Sequence, residues 1–441
     1  MVSDRMGCVK MPLQTSASKM ILGVVVLCVA GYFASRAYHI EKGGLAQKEM
    51  AQVPDLFRLA RSSKVVDRKR AIQLQQDYDA IFAKVLARHP ELVPDWKSIP
   101  DEENGFLQWL NFCDQLRSEN SSVHPALPLT DEINKMIRGV DDWNGKVMAS
   151  YLTENSEMLE EITRIGLMPE QSTHQISVDR WSFMSANVAK QSAELLFAAS
   201  RLAAESGDGD RSLKYVQAAI GLGRHHIQVE TPTLTGATIS ILVHLTALDT
   251  TMKHVLPALE LDQQDLEIWH NTLKPTFDQS YASTIRGEFW ASIRGMVIPA
   301  IANNSGLFKG EPVKDTDALY DVMAEAYIQA ADRAERSSQA ELWLQQDKSP
   351  WLPKIQETLS PAAQNVYECM LIGLDIYGKG WARAEARDRQ YAAAFAIMEG
   401  QDPPVDLIME KPFVYDEVTR TLSMPDDPAL EGLEIKPIKL P

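Results

Sequence analysis

The feature that most constrains this chain is the run at residues 20–35, MILGVVVLCVAGYFAS, which has no charged side chain and few polar atoms. Lys19 closes it on one side and Arg36 on the other. A membrane-spanning helix needs about 20 apolar residues, with a lower limit near 17, so the run sits at the short end. Lys19 and Arg36 lengthen it, because their aliphatic stems stay in the apolar zone while the charges reach the headgroups. Tyr32 and Tyr38 fall near one boundary, where amphipathic rings prefer to sit. We therefore expect a transmembrane signal-anchor over residues 20–38, held in the lipid bilayer through residues 20–36. Two other readings compete with it. One is a cleaved signal peptide, with Ser35-Arg36-Ala37 as the small-x-small site; the other is a buried helix of a soluble protein. Cys28 does not fit a lipoprotein cysteine, because Leu27 occupies a position that should be small.

Orientation rests on flanking charge. Arg5, Lys10 and Lys19 precede the segment and Arg36, Lys42 and Lys48 follow it, which is close to a tie under the positive-inside rule. The short leading tail and large following region resemble a bacterial signal-anchor. That layout predicts a single-pass inner-membrane protein, with residues 1–19 as a disordered cytoplasmic tail and a large C-terminal domain in the periplasm.

Composition bounds what that domain can do. The chain has 441 residues and a formal net charge of −16, so it is long enough for a sizeable core. The acidic balance argues against a nucleic-acid partner, which needs basic surface to displace counterions. It also argues against the domain lying on anionic lipid. Of the four cysteines, only Cys113 and Cys369 lie beyond the anchor. They are either one disulfide in an oxidising compartment or two buried thiols.

Beyond the anchor, helical periodicity dominates. Ala71, Leu74, Tyr78, Ile81 and Val85 recur three and four apart, one face of a helix. Region 39–95 is thus a stalk or the first helix of the domain. In Ile99-Pro100-Asp101-Glu102-Glu103-Asn104, Asp101 is placed to cap the next helix. Thr130 is placed to cap another, and residues 143–152 and 158–167 read as two short helices. The clearest pattern is a helix pair: Val188, Leu195, Ala199, Leu202 and Ala203, then Ser206-Gly207-Asp208-Gly209-Asp210, then Leu213, Val216, Ala219 and Leu222. Asp210 is the expected N-cap of its second helix. Thr231-Pro232 reads as cap and first residue of a long apolar helix that Pro257 stops. Further helices follow at 266–273, 281–301 and 316–344, then a linker at 348–353. Ser360-Pro361 opens the last helical region, which extends to Met398 with a bend expected near Gly378-Lys379-Gly380. Phe413-Val414-Tyr415 and Arg420-Thr421-Leu422 flank a turn and read as a hairpin, with an extended tail to Pro441.

The Gly-Asp helix pair resembles one unit of a tetratricopeptide repeat, whose loop often reads Gly-Asp before an alanine-bearing second helix. No period of about 34 residues extends it into an array. Taken together, residues 20–36, 99–104, 195–222 and 412–422 resemble uncharacterised bacterial membrane-anchored envelope proteins, and the resemblance carries no activity with it. The expected fold is mainly α: an irregular helical array over 96–400, closed by a hairpin and tail at 401–441.

Familiar chemistry is missing from the sequence. No His-Glu-x-x-His, Gly-x-Ser-x-Gly, Cys-x-x-Cys or phosphate loop occurs, and Gly221-Leu222-Gly223 lacks the strand a dinucleotide fold needs. Nothing in the sequence specifies a cofactor or a metal. His225 and His226 are adjacent, so on a helix they point about 100° apart. His244 and His254 are too far apart on one helix to share a metal. The one unusual polar cluster is Arg286-Gly287-Glu288-Phe289-Trp290 with Arg294. Glu288 is the candidate catalytic residue, a general acid or a partner-binding anchor, set against a plain structural carboxylate. Trp143, Trp181, Trp269, Trp290, Trp343 and Trp351 read as packing rather than a carbohydrate platform. The functional expectation is a periplasm-facing interaction or scaffold module with a protein or peptide partner. The alternatives are an accessory component of a secretion or pilus assembly and an envelope hydrolase using a buried carboxylate.

Overall fold

Apolar residues spaced three and four apart become helices where a cap starts them and a proline or glycine stops them, and the computed structural model shows this among the described residues. It describes residues 64–441 apart from 121–125, 182–185, 276–280, 304–312, 314, 345–358, 428–429 and 431–432. The expected tail and anchor, residues 1–38, and the expected linker at 348–353 lie outside the described residues. Among the described residues, no helix is long and apolar enough to cross a membrane.

The first helix among the described residues, α1 (Val65–Arg88), buries Ala71, Tyr78, Phe82 and Val85 on one face. A 3-10 turn at Pro90–Leu92 ends it. Helix α2 (Gly105–Asn120) is capped by Asn104, whose Oδ1 accepts the Leu107 N–H at 3.2 Å, and not by Asp101. Helix α3 (Asp131–Ile137) starts at Thr130, whose hydroxyl accepts the Ile133 N–H as expected. Helices α4 (Gly145–Glu154), α5 (Ser156–Gly166) and the single turn α6 (Val178–Trp181) follow.

The helix pair is α7 (Ala186–Glu205) and α8 (Gly209–Ile227). Gly207 has φ +78°, the left-handed conformation that glycine adopts without strain, and this reverses the chain within a few residues. Asp208, not Asp210, caps α8 by accepting the Arg211 N–H. Val216 and Ala219 are fully buried, and the Ser200 and Ser212 hydroxyls bond across the pair at 2.8 Å. Small residues let a third helix in. A Cβ built on Gly221 would lie 1.7 Å from the Gly166 carbonyl oxygen, so α5 and α8 meet backbone to backbone.

Helix α9 (Leu234–Thr250) is capped by Thr233, which accepts the Gly236 N–H; the cap lies two residues beyond the expected Thr231. Apolar on every face, α9 is shared between two cores, as such a helix must be. Its first turn faces a core built by α1, α11 (Tyr281–Phe289), α12 (Ile298–Ala302) and α13 (Thr316–Arg336). Its later turns face the core of α2 to α5, α7, α8 and α10 (Gln263–Thr272). A short α14 (Gln339–Leu344) precedes α15 (Pro361–Met398), which is capped by Ser360 and crosses both cores. The helix α15 runs unbroken through Gly378-Lys379-Gly380, where a bend was expected.

Two helical stretches widen to π geometry, Thr251–Val255 and Trp290–Val297. Each ends two residues before a proline, Pro257 and Pro299. Proline lacks the N–H for the carbonyl four residues back and its ring clashes with it. Shifting to bonds five residues apart accommodates both: the N–H of Leu256 donates to Thr251 O and that of Ile298 to Ile293 O.

The C-terminal region forms two small antiparallel sheets. Strands β1 (Val405–Asp406) and β2 (Lys411–Pro412) pair with each other. The expected hairpin is β3 (Val414–Asp416) and β4 (Thr421–Ser423). The tail expected to be extended returns as β5 (Ile438–Lys439) against β4, so the unit has three strands. Leu422, Ile438 and Leu440 bury into the core of α2 to α5, α7, α8 and α10, which ties the sheet to the helices.

Candidate functional site

The site with a cleft is not built around Glu288. It lies where α1, the segment around Trp96, the loop 170–178 and the π stretch Trp290–Val297 meet, and its volume is about 290 Å3. The loop is irregular and is fixed by side chains. Asn104 makes two bonds to Ser172, donating to its carbonyl at 3.0 Å and accepting its N–H at 3.1 Å. Glu230 accepts from the Lys97 N–H, the Ser172 hydroxyl, and both the N–H and hydroxyl of Thr173. Burial would raise the Glu230 carboxyl, but these donors outweigh it and hold it below the ordinary carboxylate range. The loop therefore cannot drift from α2 or from the Trp96 segment. Gln175 projects from it at φ +65°, a conformation that costs an ordinary residue energy and concentrates at binding sites.

Aromatic rings form the walls. The Trp96 ring stacks on His174 with centroids 5.5 Å apart and meets Trp290 edge to face at 5.2 Å. Trp290 is itself fixed: its indole N–H donates to the Leu92 carbonyl at 2.8 Å and its ring meets Phe82 edge to face at 4.8 Å. Trp181 is buried and joins Phe106, Leu110, Val229 and Ala291 in a small apolar cluster under the loop. Helix α1 supplies the polar wall. Gln75 donates to the Ser177 hydroxyl at 2.8 Å. Asp79 accepts from Arg294 at 2.5 Å, and Arg294 is only 1% exposed. The exposed carboxylate and the buried guanidinium therefore cancel at the cleft wall.

The residues singled out by sequence point three ways. Glu288 is partly buried, with its carboxylate turned inward to accept the Leu234 N–H at 2.8 Å and the Ser292 hydroxyl at 2.7 Å. It thus ties α11 to the first turn of α9. Burial pushes its carboxyl above the ordinary range, and the two donors offset part of that rise. Arg286 faces α13, bonding Glu335 at 2.6 Å and Asp332 at 3.3 Å. Arg294 faces α1. Of that cluster only Trp290 lines the cleft, and Arg294 lies behind its wall, bonded to Asp79.

His225, His226 and His244 are structural in their geometry. His225 bonds the Ile165 carbonyl at 2.7 Å, and burial lowers it to about 4. His226 lies against the edges of Phe106 and Trp109 with neither ring nitrogen hydrogen-bonded, and burial lowers it to about 3. His244 bonds Asp388 of α15 at 2.9 Å. Nearby, Asp249 accepts from Arg387 and Tyr391, and Arg387 also bonds the Lys436 carbonyl of the tail. That network joins α9, α15 and the tail. Among the described residues, no three His, Cys, Asp or Glu side chains gather as a metal-binding group. Cys113 is buried in the core of α2 to α5, α7, α8 and α10, and the Cys369 side chain lies outside the described residues.

Of the tryptophans read as packing, Trp181 and Trp269 are buried, and Trp143 lies under Arg201 at 4.2 Å with its indole N–H donating to Glu205. The Trp343 side chain and Trp351 lie outside the described residues. Trp96, His174 and Asp79 were not singled out from sequence. No short pattern joins residues so far apart in the chain. The one local signal was the break from apolar patterning at Trp290 and Arg294. Comparison of the chain with protein-family models, with curated proteins and with solved structures finds no match.

Proposed function

We propose that this chain is a membrane-anchored recognition module, in which residues 20–36 hold it in the bilayer and the helical body presents the aromatic cleft to a partner. The observation that carries the reading is the convergence of Trp96, His174 and Trp290 on an open cleft from separate parts of the chain. Half-buried aromatic rings with a few fixed polar groups are the usual composition of a binding pocket. An irregular loop held in a strained conformation at its rim is consistent with the same role. The hydrolase alternative has less support, because the Glu288 carboxylate is taken up by two donors inside the protein.

A photo-crosslinking side chain placed at exposed Gln175 in the full-length membrane protein tests this. The expected result is an adduct formed in cells from position 175 and not from exposed Asp210 in the helix-pair turn. Equal labelling at the two positions, or none at 175, overturns the reading.

A further inference from the structure

We infer that the cleft takes a neutral sugar ring, an inference that rests on the recognition reading above. Three observations converge on it. The first is charge. The acidic group of the wall, Asp79, is matched by Arg294 at 2.5 Å. Behind the loop, Glu230 is saturated by four donors. His174 is the remaining titratable group of the lining. An aromatic box selects a cation by pairing ring faces with an unmatched carboxylate, and an anion site needs unmatched donors or cations. This cleft presents neither excess.

The second observation is the chemistry of the lining. The rings of Trp96 and Trp290 stand at 86° to one another. An indole face carries the negative end of the ring quadrupole. The C–H bonds on one face of a pyranose carry the complementary partial positive charge and match the ring in area. Around these rings stand groups that both donate and accept, the amides of Gln75 and Gln175. Sugar hydroxyls require such mixed partners, because each donates once and accepts twice. The Asp79 carboxylate adds an acceptor whose charge is already balanced.

The third is size. At about 290 Å3 the cleft is at the lower limit of ligand pockets, about 300–1,000 Å3. It holds one ring of a longer molecule rather than a helix or a folded partner. Its open side lets the rest of an oligosaccharide continue into solvent.

The test uses the full-length chain in lipid nanodiscs, free of glycoside detergents that would compete. Chitotriose and maltotriose are titrated separately while the indole N–H signals of Trp96 and Trp290 are followed by NMR, assigned by Trp→Phe variants. Tetramethylammonium and a polyproline peptide serve as comparison probes. The expected result is a saturable shift with at least one oligosaccharide, saturation transfer from the protein to its ring C–H protons, and no response to the comparison probes. Trp96→Ala and His174→Ala each weaken binding at least tenfold, whereas Trp96→Phe retains part of it. A response only to tetramethylammonium or to the peptide overturns the sugar assignment and leaves the recognition reading standing. No response to any probe also overturns the assignment, and the crosslink at position 175 then decides the recognition reading separately.

Discussion

The α7–α8 pair and the aromatic cleft are built on opposite principles. The pair is local: two helices joined by one short turn, with alanines and glycines at the contacts and Val216 and Ala219 fully buried. Its geometry follows from small residues that let backbones approach, and little of it is left open to a ligand. The cleft is assembled from parts scattered over the chain, from Gln75 to Trp290. It keeps large rings at the surface and a residue at φ +65°. The difference is one between a region packed for stability and a region that gives up packing for access. The pair also supports the cleft, since the last turn of α8 carries His226, which packs against Phe106, a member of the small cluster beneath the loop.

The largest expected effect is where α8 of the pair meets α5. Gly221→Ala places a methyl 1.7 Å from the Gly166 carbonyl, a backbone atom that cannot move aside. The loss should reach about 3 kcal/mol, the upper end of ordinary overpacking, as a lowered denaturation midpoint. If the midpoint holds, α5 and α8 are not in backbone contact and the contrast with the cleft fails.

Next comes the junction between the two regions. His226 has its ordinary value of 6.5 when unfolded and about 3 when buried. Between those values the unfolded chain binds the extra proton, so stability is complete above pH 6.5 and falls as the pH drops toward 3. His226→Phe should flatten the dependence of unfolding free energy on pH by about 1.4 kcal/mol per unit in that window. His225, lowered to about 4, keeps a residual slope in the variant. Parallel curves for the two proteins would show that His226 reaches water.

A smaller effect separates two neighbouring aspartates. Asp208→Ala removes the side-chain cap of α8 and should cost about 1 kcal/mol. Asp210→Ala should change stability by less than about 0.5 kcal/mol, as surface substitutions do. Equal effects would mean that the turn is capped differently.

The smallest effect belongs to the cleft and has the opposite sign. Gln175→Gly relieves a left-handed residue, worth about 1–2 kcal/mol, against a loss of about 0.5–1 kcal/mol from glycine's greater freedom when unfolded. A net gain of about 0.5 kcal/mol is expected by chemical denaturation. A loss instead would show that the Gln175 side chain braces the loop.

Sequence reading reached most of the helices and missed most of the caps by a few residues. Asp101, Asp210 and Thr231 were each a chemically sound cap, yet Asn104, Asp208 and Thr233 cap the helices. In all three places several short polar residues stand together, and propensity does not choose among them. The pull of tertiary contacts does: Asn104 is held by its bonds to Ser172, and Thr231 is buried with its hydroxyl on Thr173. The β3–β4 hairpin was legible because its turn is local. The return of the tail as β5 was not, because pairing across so many residues leaves no short-range pattern.

For Glu288, sequence identified an unusual polar residue on an apolar helix but could not supply its direction. One turn of helix separates a carboxylate facing solvent from one facing the N–H of Leu234, and only packing against α9 settles that. What the sequence determined by itself was the helical class, the Gly-Asp turn of the α7–α8 pair, and the starts of α3 and α15 at Thr130 and Ser360. All of these are effects of neighbours in the chain. What tertiary structure alone decided was the cleft. Rings at positions 96, 174 and 290 share a wall because two cores, joined by α9 and α15, bring those segments together. Stacking acts only over a few ångströms, so no residue of that wall carries in its own sequence neighbourhood any record of the others.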